Sequence, residues 1–144
     1  PIVRDRHMTV SRQNQLVKDV TQVAHAAKLG EAEIIDARSA ARFMGEAPEP
    51  RHGLRAGHIP GSTNLPFAEM LNPDGTMKPP AALKTAFEAI GVDLTKPAIT
   101  TCGSGVTAAI LNLALERIGH RNHALYDGSW SEWGMYDDLR VETG

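Results

Sequence analysis

Cysteine is nearly missing from this 144-residue chain, which holds one, Cys102. A lone cysteine cannot close an internal disulfide, and it excludes cysteine-rich zinc sites. It favours a reducing compartment, and the cytoplasm is the expected one. An excess of either charge is missing too. With 15 basic and 17 acidic residues the formal net charge is -2. That balance offers no basic field for nucleic acid and no polybasic patch for a membrane surface. No apolar run approaches the roughly 20 residues that span a bilayer. Pro1–His7 is polar and basic and has no apolar core of a secretion signal. An initiator Met is also missing, so the sequence is expected to begin inside a longer protein or after processing or cloning, and a preceding domain stays open. Repeats and low-complexity tracts are absent.

What is present suffices for one ordinary domain over 1–144, with 1–7 as a linker or a strand from an upstream segment; 42% of the chain is apolar. Met8–Val10 reads as a short strand and Ser11 as a helix N-cap. Leu16, Val17, Val20, Val23, Ala24 and Ala27 follow at helical spacing, and Gly30 stops the run. Ala32–Ala37 reads as a strand and Ser39–Met44 as a short helix. Gly45–Gly61 is a long loop rich in Gly, Pro and charge, the kind that often carries function. Thr63–Leu65 reads as a brief strand, Asn72–Gly75 as a turn and Pro80–Ile90 as a helix. The strand Ala98–Thr101 precedes a strong helix over Val106–Ile118. Ala124–Asp127 reads as a strand, and Ser129–Tyr136 as a last short helix. Strands separated by helices predict an α/β fold, a central, mostly parallel sheet with helices on both faces.

The chemistry centres on Thr101-Cys102-Gly103-Ser104-Gly105-Val106-Thr107. This run puts a thiol at the carboxyl end of a predicted strand, the edge where ligands bind in open α/β sheets. Two glycines let successive N–H groups turn inward as an anion-binding nest, and the following helix adds its N-terminal dipole. Both favour a thiolate, and then a persulfide. A lone cysteine is more often a buried, inert thiol, but the strand–Cys–Gly-x-Gly–helix context reverses that preference. Cysteine phosphatases need an Arg six residues after the Cys to clamp phosphoryl oxygens. Here that position is Ala108.

Four motifs in order carry a specific resemblance: Cys-Gly-Ser-Gly-Val-Thr (102–107), Gly-His-Ile-Pro-Gly-Ser (57–62), Ala-Arg-Phe-Met-Gly (41–45) with Pro-Glu-Pro (48–50) before Arg51, and Tyr-Asp-Gly-Ser-Trp-Ser-Glu-Trp-Gly (126–134). They anchor a resemblance that covers nearly the whole chain from about Met8. The chain resembles a rhodanese domain, most of all the C-terminal catalytic domain of 3-mercaptopyruvate sulfurtransferases. Thiosulfate sulfurtransferases carry Cys-Arg-Lys-Gly-Val-Thr, whose cations suit a doubly charged donor; Gly103 and Ser104 are of the mercaptopyruvate type.

The resemblance implies that Cys102 takes sulfur from a small-molecule donor and passes it to cyanide, a thiol or a thioredoxin-like acceptor. It assigns the donor's carboxylate to Arg42 and Arg51, whose forks can bind a carboxylate through two hydrogen bonds. Without it, both would read as solvated surface charges. Gly103, Gly105, Val106 and Thr107 would bind through the loop backbone. Ser104 either donates its hydroxyl to the donor or caps the helix. In the two-domain family it acts with a His and an Asp of an N-terminal rhodanese domain, which these residues do not include. Thiosulfate:cyanide transfer and a detached, non-turnover sulfur carrier stand as alternatives. Arg38 and Arg55 gain no role, and Asp36 reads as a structural hydrogen-bonding group. Of the six histidines, His58 reads as ordering its turn. His52 stands beside Arg51. His7, His25, His120 and His123 lack ligand spacing, so no metal or cofactor is expected. Trp130 and Trp133 read as core.

Overall fold

Two adjacent isoleucines decide the layering. In an extended chain, neighbouring side chains point to opposite faces. Ile34 and Ile35 nevertheless are 2% and 0% exposed. Their strand therefore needs cover on both sides, the condition of a parallel α/β sheet.

The computed structural model describes residues 17–47, 49, 54–103, 107–120, 122–126, 128–136 and 138–143. Their elements are β1 (Val17–Lys18), α1 (Val20–Leu29), β2 (Glu33–Asp36), α2 (Ala40–Met44), β3 (Thr63–Asn64), a 3-10 turn (Phe67–Met70), α3 (Pro80–Ala89), β4 (Ala98–Thr101), α4 (Ala108–Arg117), β5 (His123–Tyr126) and α5 (Ser129–Trp133). The sheet order is β1-β5-β4-β2-β3. All four ladders are parallel, with β4 central between β2 and β5.

The two faces carry separate cores. On one, Ile35 packs with Leu83 and Phe87 of α3 and Leu111 and Leu115 of α4; Cys102 belongs to this cluster. On the other, Ile34 and Ile99 pack with Val23 of α1 and with Tyr126, Trp130 and Trp133. Burying each large apolar side chain contributes about 1.5–3 kcal/mol. Both tryptophans are thus core residues, as their sequence context suggested.

The first helix starts later than its apolar spacing predicts. Val17 and Lys18 are extended and pair with Leu125 and Tyr126 of β5. α1 then begins at a capping box. Asp19 Oδ1 accepts from the Gln22 backbone N–H at 2.8 Å, and Gln22 Oε1 accepts from the Asp19 N–H at 2.9 Å. Two reciprocal bonds fix the helix start there, and the strand-forming Val17 is taken by the sheet edge. The expected strand Met8–Val10 and cap at Ser11 lie outside the described residues. Gly30 ends α1 in the left-handed region at φ 67°.

Because every strand runs the same way, all carboxyl ends lie at one edge of the sheet. Asp36 of β2 stands level with Thr101 of β4 and Asn64 of β3. Cys102 and Leu65 follow directly, Arg38 one residue further on, and the site forms there. His58 and Glu142 close this end from outside. Each donates its backbone N–H to the other's carbonyl, at 2.8 and 3.0 Å. The His58 ring stacks on Phe43 at 3.8 Å between centroids. Its Nδ1 donates to the Phe43 carbonyl at 2.7 Å. His58 therefore orders its turn. Arg55, given no catalytic role, donates to the carbonyls of Trp133, Gly134, Tyr136 and Leu139 and closes the C-terminal end of α5.

Candidate active site

Cys102 is the first residue beyond β4, and it is 0% exposed. Burial alone would suit an inert thiol. The side chain borders the apolar cluster, but hydrogen bonds hold the backbone at Cys102 and at the residue after it. The Cys102 N–H donates to Ser129 Oγ at 3.2 Å, and the Cys102 carbonyl accepts from the Trp130 N–H at 2.8 Å. Gly103 O accepts from the Ser131 N–H at 2.9 Å. The thiol loop is thus stapled to the start of α5.

Ser129 is the centre of that staple. Its hydroxyl donates to the Tyr126 carbonyl at 2.8 Å and lies 3.9 Å from Cys102 Sγ. The residue is fully buried and has φ 52°. A non-glycine residue in this region is uncommon and costs of order 1–3 kcal/mol, sustained only where the surroundings over-determine it. Here two hydrogen bonds of the Ser129 hydroxyl and the two from the Trp130 and Ser131 N–H groups do so.

The charges at this edge form one chain of four groups. Arg38 is buried, and its Nε lies 3.0 Å and its Nη2 2.7 Å from Asp36 carboxylate oxygens. Its Nη2 also donates to the Gly57 carbonyl at 2.7 Å, and its guanidinium lies 4.6 Å from the centre of the Trp130 ring. Asp36 is therefore a structural hydrogen-bonding group. Arg38 Nη1 reaches Glu49 Oε2 at 3.3 Å. Glu49 in turn takes Arg42, with Nη2 to Oε1 at 2.7 Å and Nε to Oε2 at 3.4 Å.

Arg42 is the member of this chain that meets the thiol loop. Its side chain is 29% exposed, whereas those of Arg38, Asp36 and Glu49 are each 1% exposed. A Cβ placed on Gly103 would lie 2.8 Å from Arg42 Nη2 and 3.4 Å from Nη1. The guanidinium therefore rests directly on Gly103. Its hydrogen bond to Glu49 pushes the Arg42 pKa up against the opposing effect of burial. The charges of Glu49, Asp36 and Cys102 add to the rise.

Four of the eight residues expected at the site are placed. Cys102, Gly103 and Arg42 come together, and Thr107 directly precedes α4, which starts at Ala108 rather than Val106. Ser104, Gly105, Val106 and Arg51 lie outside the described residues. Glu49, Arg38 and Ser129 join the site without having been assigned to it. Glu49 and Ser129 stand inside the motifs quoted above, but a shared carboxylate and a positive φ have no signature in single residues. Among the described residues, no group of three or more His, Cys, Asp or Glu could hold a metal ion, and no helix is long and apolar enough to cross a membrane.

Fold and loop define an α/β domain of the strand–thiol–helix type. The chain belongs to the rhodanese-like domain family, whose model matches residues 19–136. It is 50% identical to the 3-mercaptopyruvate sulfurtransferase of Escherichia coli K12 over 128 residues, 89% of this chain and 45% of that protein. It is 45% identical to the thiosulfate sulfurtransferase of Bos taurus over 119 residues, 82% of this chain and 40% of that protein. The crystal structure of SseA from Escherichia coli, a 3-mercaptopyruvate sulfurtransferase, is similar with a TM-score of 0.70 and 47% identity, covering 82% of this chain and 43% of that one. The Tum1 protein of Saccharomyces cerevisiae gives a TM-score of 0.81 at 35% identity over 90% of this chain and 47% of that one. The chain thus spans less than half the length of these relatives.

Proposed function

We propose that this chain is the thiol-bearing domain of a sulfurtransferase that takes sulfur from 3-mercaptopyruvate onto Cys102. The observation that carries this reading is the Arg42 guanidinium resting on Gly103 beside the thiol. A donor that must present both a sulfur and a carboxylate needs a nucleophile and a carboxylate-binding fork close to each other.

The Cys102 thiolate attacks the donor's sulfur. An S–S bond forms and the C–S bond breaks, its electron pair leaving as the enolate of pyruvate, which takes up a proton. Arg42, with Arg51, holds the carboxylate. The loop amides from Gly103 to Thr107 stabilise charge on the incoming sulfur and on the persulfide. Ser104 donates its hydroxyl to the donor. An acceptor, whether cyanide, a small thiol or a thioredoxin-like protein, then attacks the outer sulfur and releases the Cys102 thiolate. A thiol that must return reduced after each cycle fits a reducing compartment such as the cytoplasm.

The relatives' greater length motivates two further parts of the reading. Residues 1–144 form one rhodanese domain, and a second domain supplies the partners of Ser104. Cys102→Ser checks the chemistry. The variant should gain no sulfur from 3-mercaptopyruvate while keeping the fold; a variant that still gains sulfur refutes the assignment. Thiosulfate offered at the same concentration should load wild-type Cys102 more slowly, and faster loading would favour a thiosulfate:cyanide transferase.

A further inference from the structure

We propose that Glu49 sets the charge of the donor that this site accepts. The inference rests on the reading of Cys102 and Arg42 as the groups that face the donor, and it concerns a residue with no role in that reading.

Glu49 is a buried carboxylate held by two guanidinium groups at once. Oε1 is 2.7 Å from Arg42 Nη2, and Oε2 is 3.4 Å from Arg42 Nε and 3.3 Å from Arg38 Nη1. Arg38 is itself bound side-on by Asp36. The network of two arginines and two carboxylates is therefore charge-balanced before any donor arrives. Arg42 alone among them reaches solvent, and it does so against Gly103. Its Nε and Nη2 edge is occupied by Glu49, and the described residues give Nη1 no partner.

Two consequences follow. The donor meets the far edge of a guanidinium whose charge is already matched, so the described residues offer directed N–H groups without net charge, and Arg51, the one further cation assigned to the donor, matches a single negative charge. Such a site suits a planar monoanion, which gains from hydrogen bonds. It penalises a dianion, which needs net positive charge to replace its hydration. Glu49 also fixes where the guanidinium lies. Position and charge are separable: Glu49→Asp keeps the charge and shortens the reach, whereas Glu49→Gln keeps the length and removes the charge.

Removing one buried negative charge close to the donor favours a dianion over a monoanion by one extra unit of charge interaction, on the order of tenfold in relative rate. The test measures the rate of Cys102 sulfur loading by thiosulfate and by 3-mercaptopyruvate in wild type and both variants. Glu49→Gln should raise the thiosulfate-to-mercaptopyruvate ratio about tenfold. Glu49→Asp should slow both donors and leave the ratio within about twofold of wild type. A ratio unchanged in Glu49→Gln, or raised in Glu49→Asp, overturns the proposal. Alkylation of Cys102 by iodoacetate relative to neutral iodoacetamide tests the charge effect without any sulfur donor. That ratio should rise in Glu49→Gln and stay level in Glu49→Asp. Failure of the sulfurtransferase reading therefore shows in wild-type loading, and failure of this inference shows in the alkylation ratio.

Discussion

Gly103→Ala isolates the contact on which the functional reading depends. The new Cβ would stand 2.8 Å from Arg42 Nη2, and the guanidinium must withdraw by about 0.6 Å to restore an ordinary contact of 3.4 Å. Gly103 does not occupy the left-handed region, so alanine meets no backbone strain there. The group in the way is the tip of a flexible side chain, so the fold can yield. The variant should keep its stability to within about 1 kcal/mol and could gain from a stiffer unfolded chain. Arg42 cannot yield without loosening its 2.7 Å bond to Glu49. A shift of this size in a group that orients a substrate lowers kcat/KM by roughly ten- to a hundredfold, about 1.4–2.7 kcal/mol of transition-state binding. The assay is single-turnover loading of Cys102 by 3-mercaptopyruvate, followed by quenched-flow mass spectrometry, beside a melting curve. Alkylation by neutral iodoacetamide should keep its wild-type rate, because that reagent does not need Arg42. Loading at the wild-type rate in a folded Gly103→Ala protein would refute the placement of the donor's carboxylate on Arg42.

Three further outcomes follow from the same geometry. Gly57 has φ 125°, and a Cβ there would lie 2.4 Å from the Glu142 carbonyl oxygen, a backbone atom. Gly57→Ala should therefore lower stability by about 2–4 kcal/mol in a denaturant titration. Ser129→Ala leaves the Cys102 N–H and the Tyr126 carbonyl without the hydroxyl they share. It should cost about 1–3 kcal/mol and slow alkylation or sulfur loading of Cys102. Burial pushes the pKa of His123 down, against its hydrogen bond to the His120 carbonyl. The unfolded chain then takes up the proton more readily, so this contribution is complete above a pH of about 6.5 and is lost as the pH falls through the lower folded-state value. The melting temperature should drop between neutral and mildly acidic pH, and His123→Gln should shrink the drop.

The sheet was legible because its strands are short apolar runs bounded by Gly, Pro and charge. Ile34–Ile35 shows burial on both faces directly in its composition, whereas the burial of Thr100 and Thr101 emerges only in the structure. The start of α1 was not, because Leu16, Val17 and Val20 satisfy helical spacing equally well. The Asp19–Gln22 capping box and the pairing of Val17 with Leu125 decided between the readings. The site divides along a similar line. Cys102 and its glycines announce themselves, since a thiol between a strand and a helix has few uses. Arg42 entered only through a motif. Its link to the thiol runs through Glu49 and Gly103, and those contacts exist only once residues 42, 49 and 103 meet at the sheet edge. Ser129 was the least visible, since its task is set by a left-handed backbone conformation.

The central claim is that Cys102 receives a sulfur atom from a carboxylate-bearing donor. Its most direct test is the intact mass of the protein after brief exposure to 3-mercaptopyruvate, with pyruvate measured in the same tube. The account predicts the gain of one sulfur atom, mapped to Cys102, with pyruvate released in at least equal amount. Turnover beyond one equivalent once a thiol acceptor is added would mean that this domain completes the cycle by itself. An unchanged mass with no pyruvate released would contradict the account.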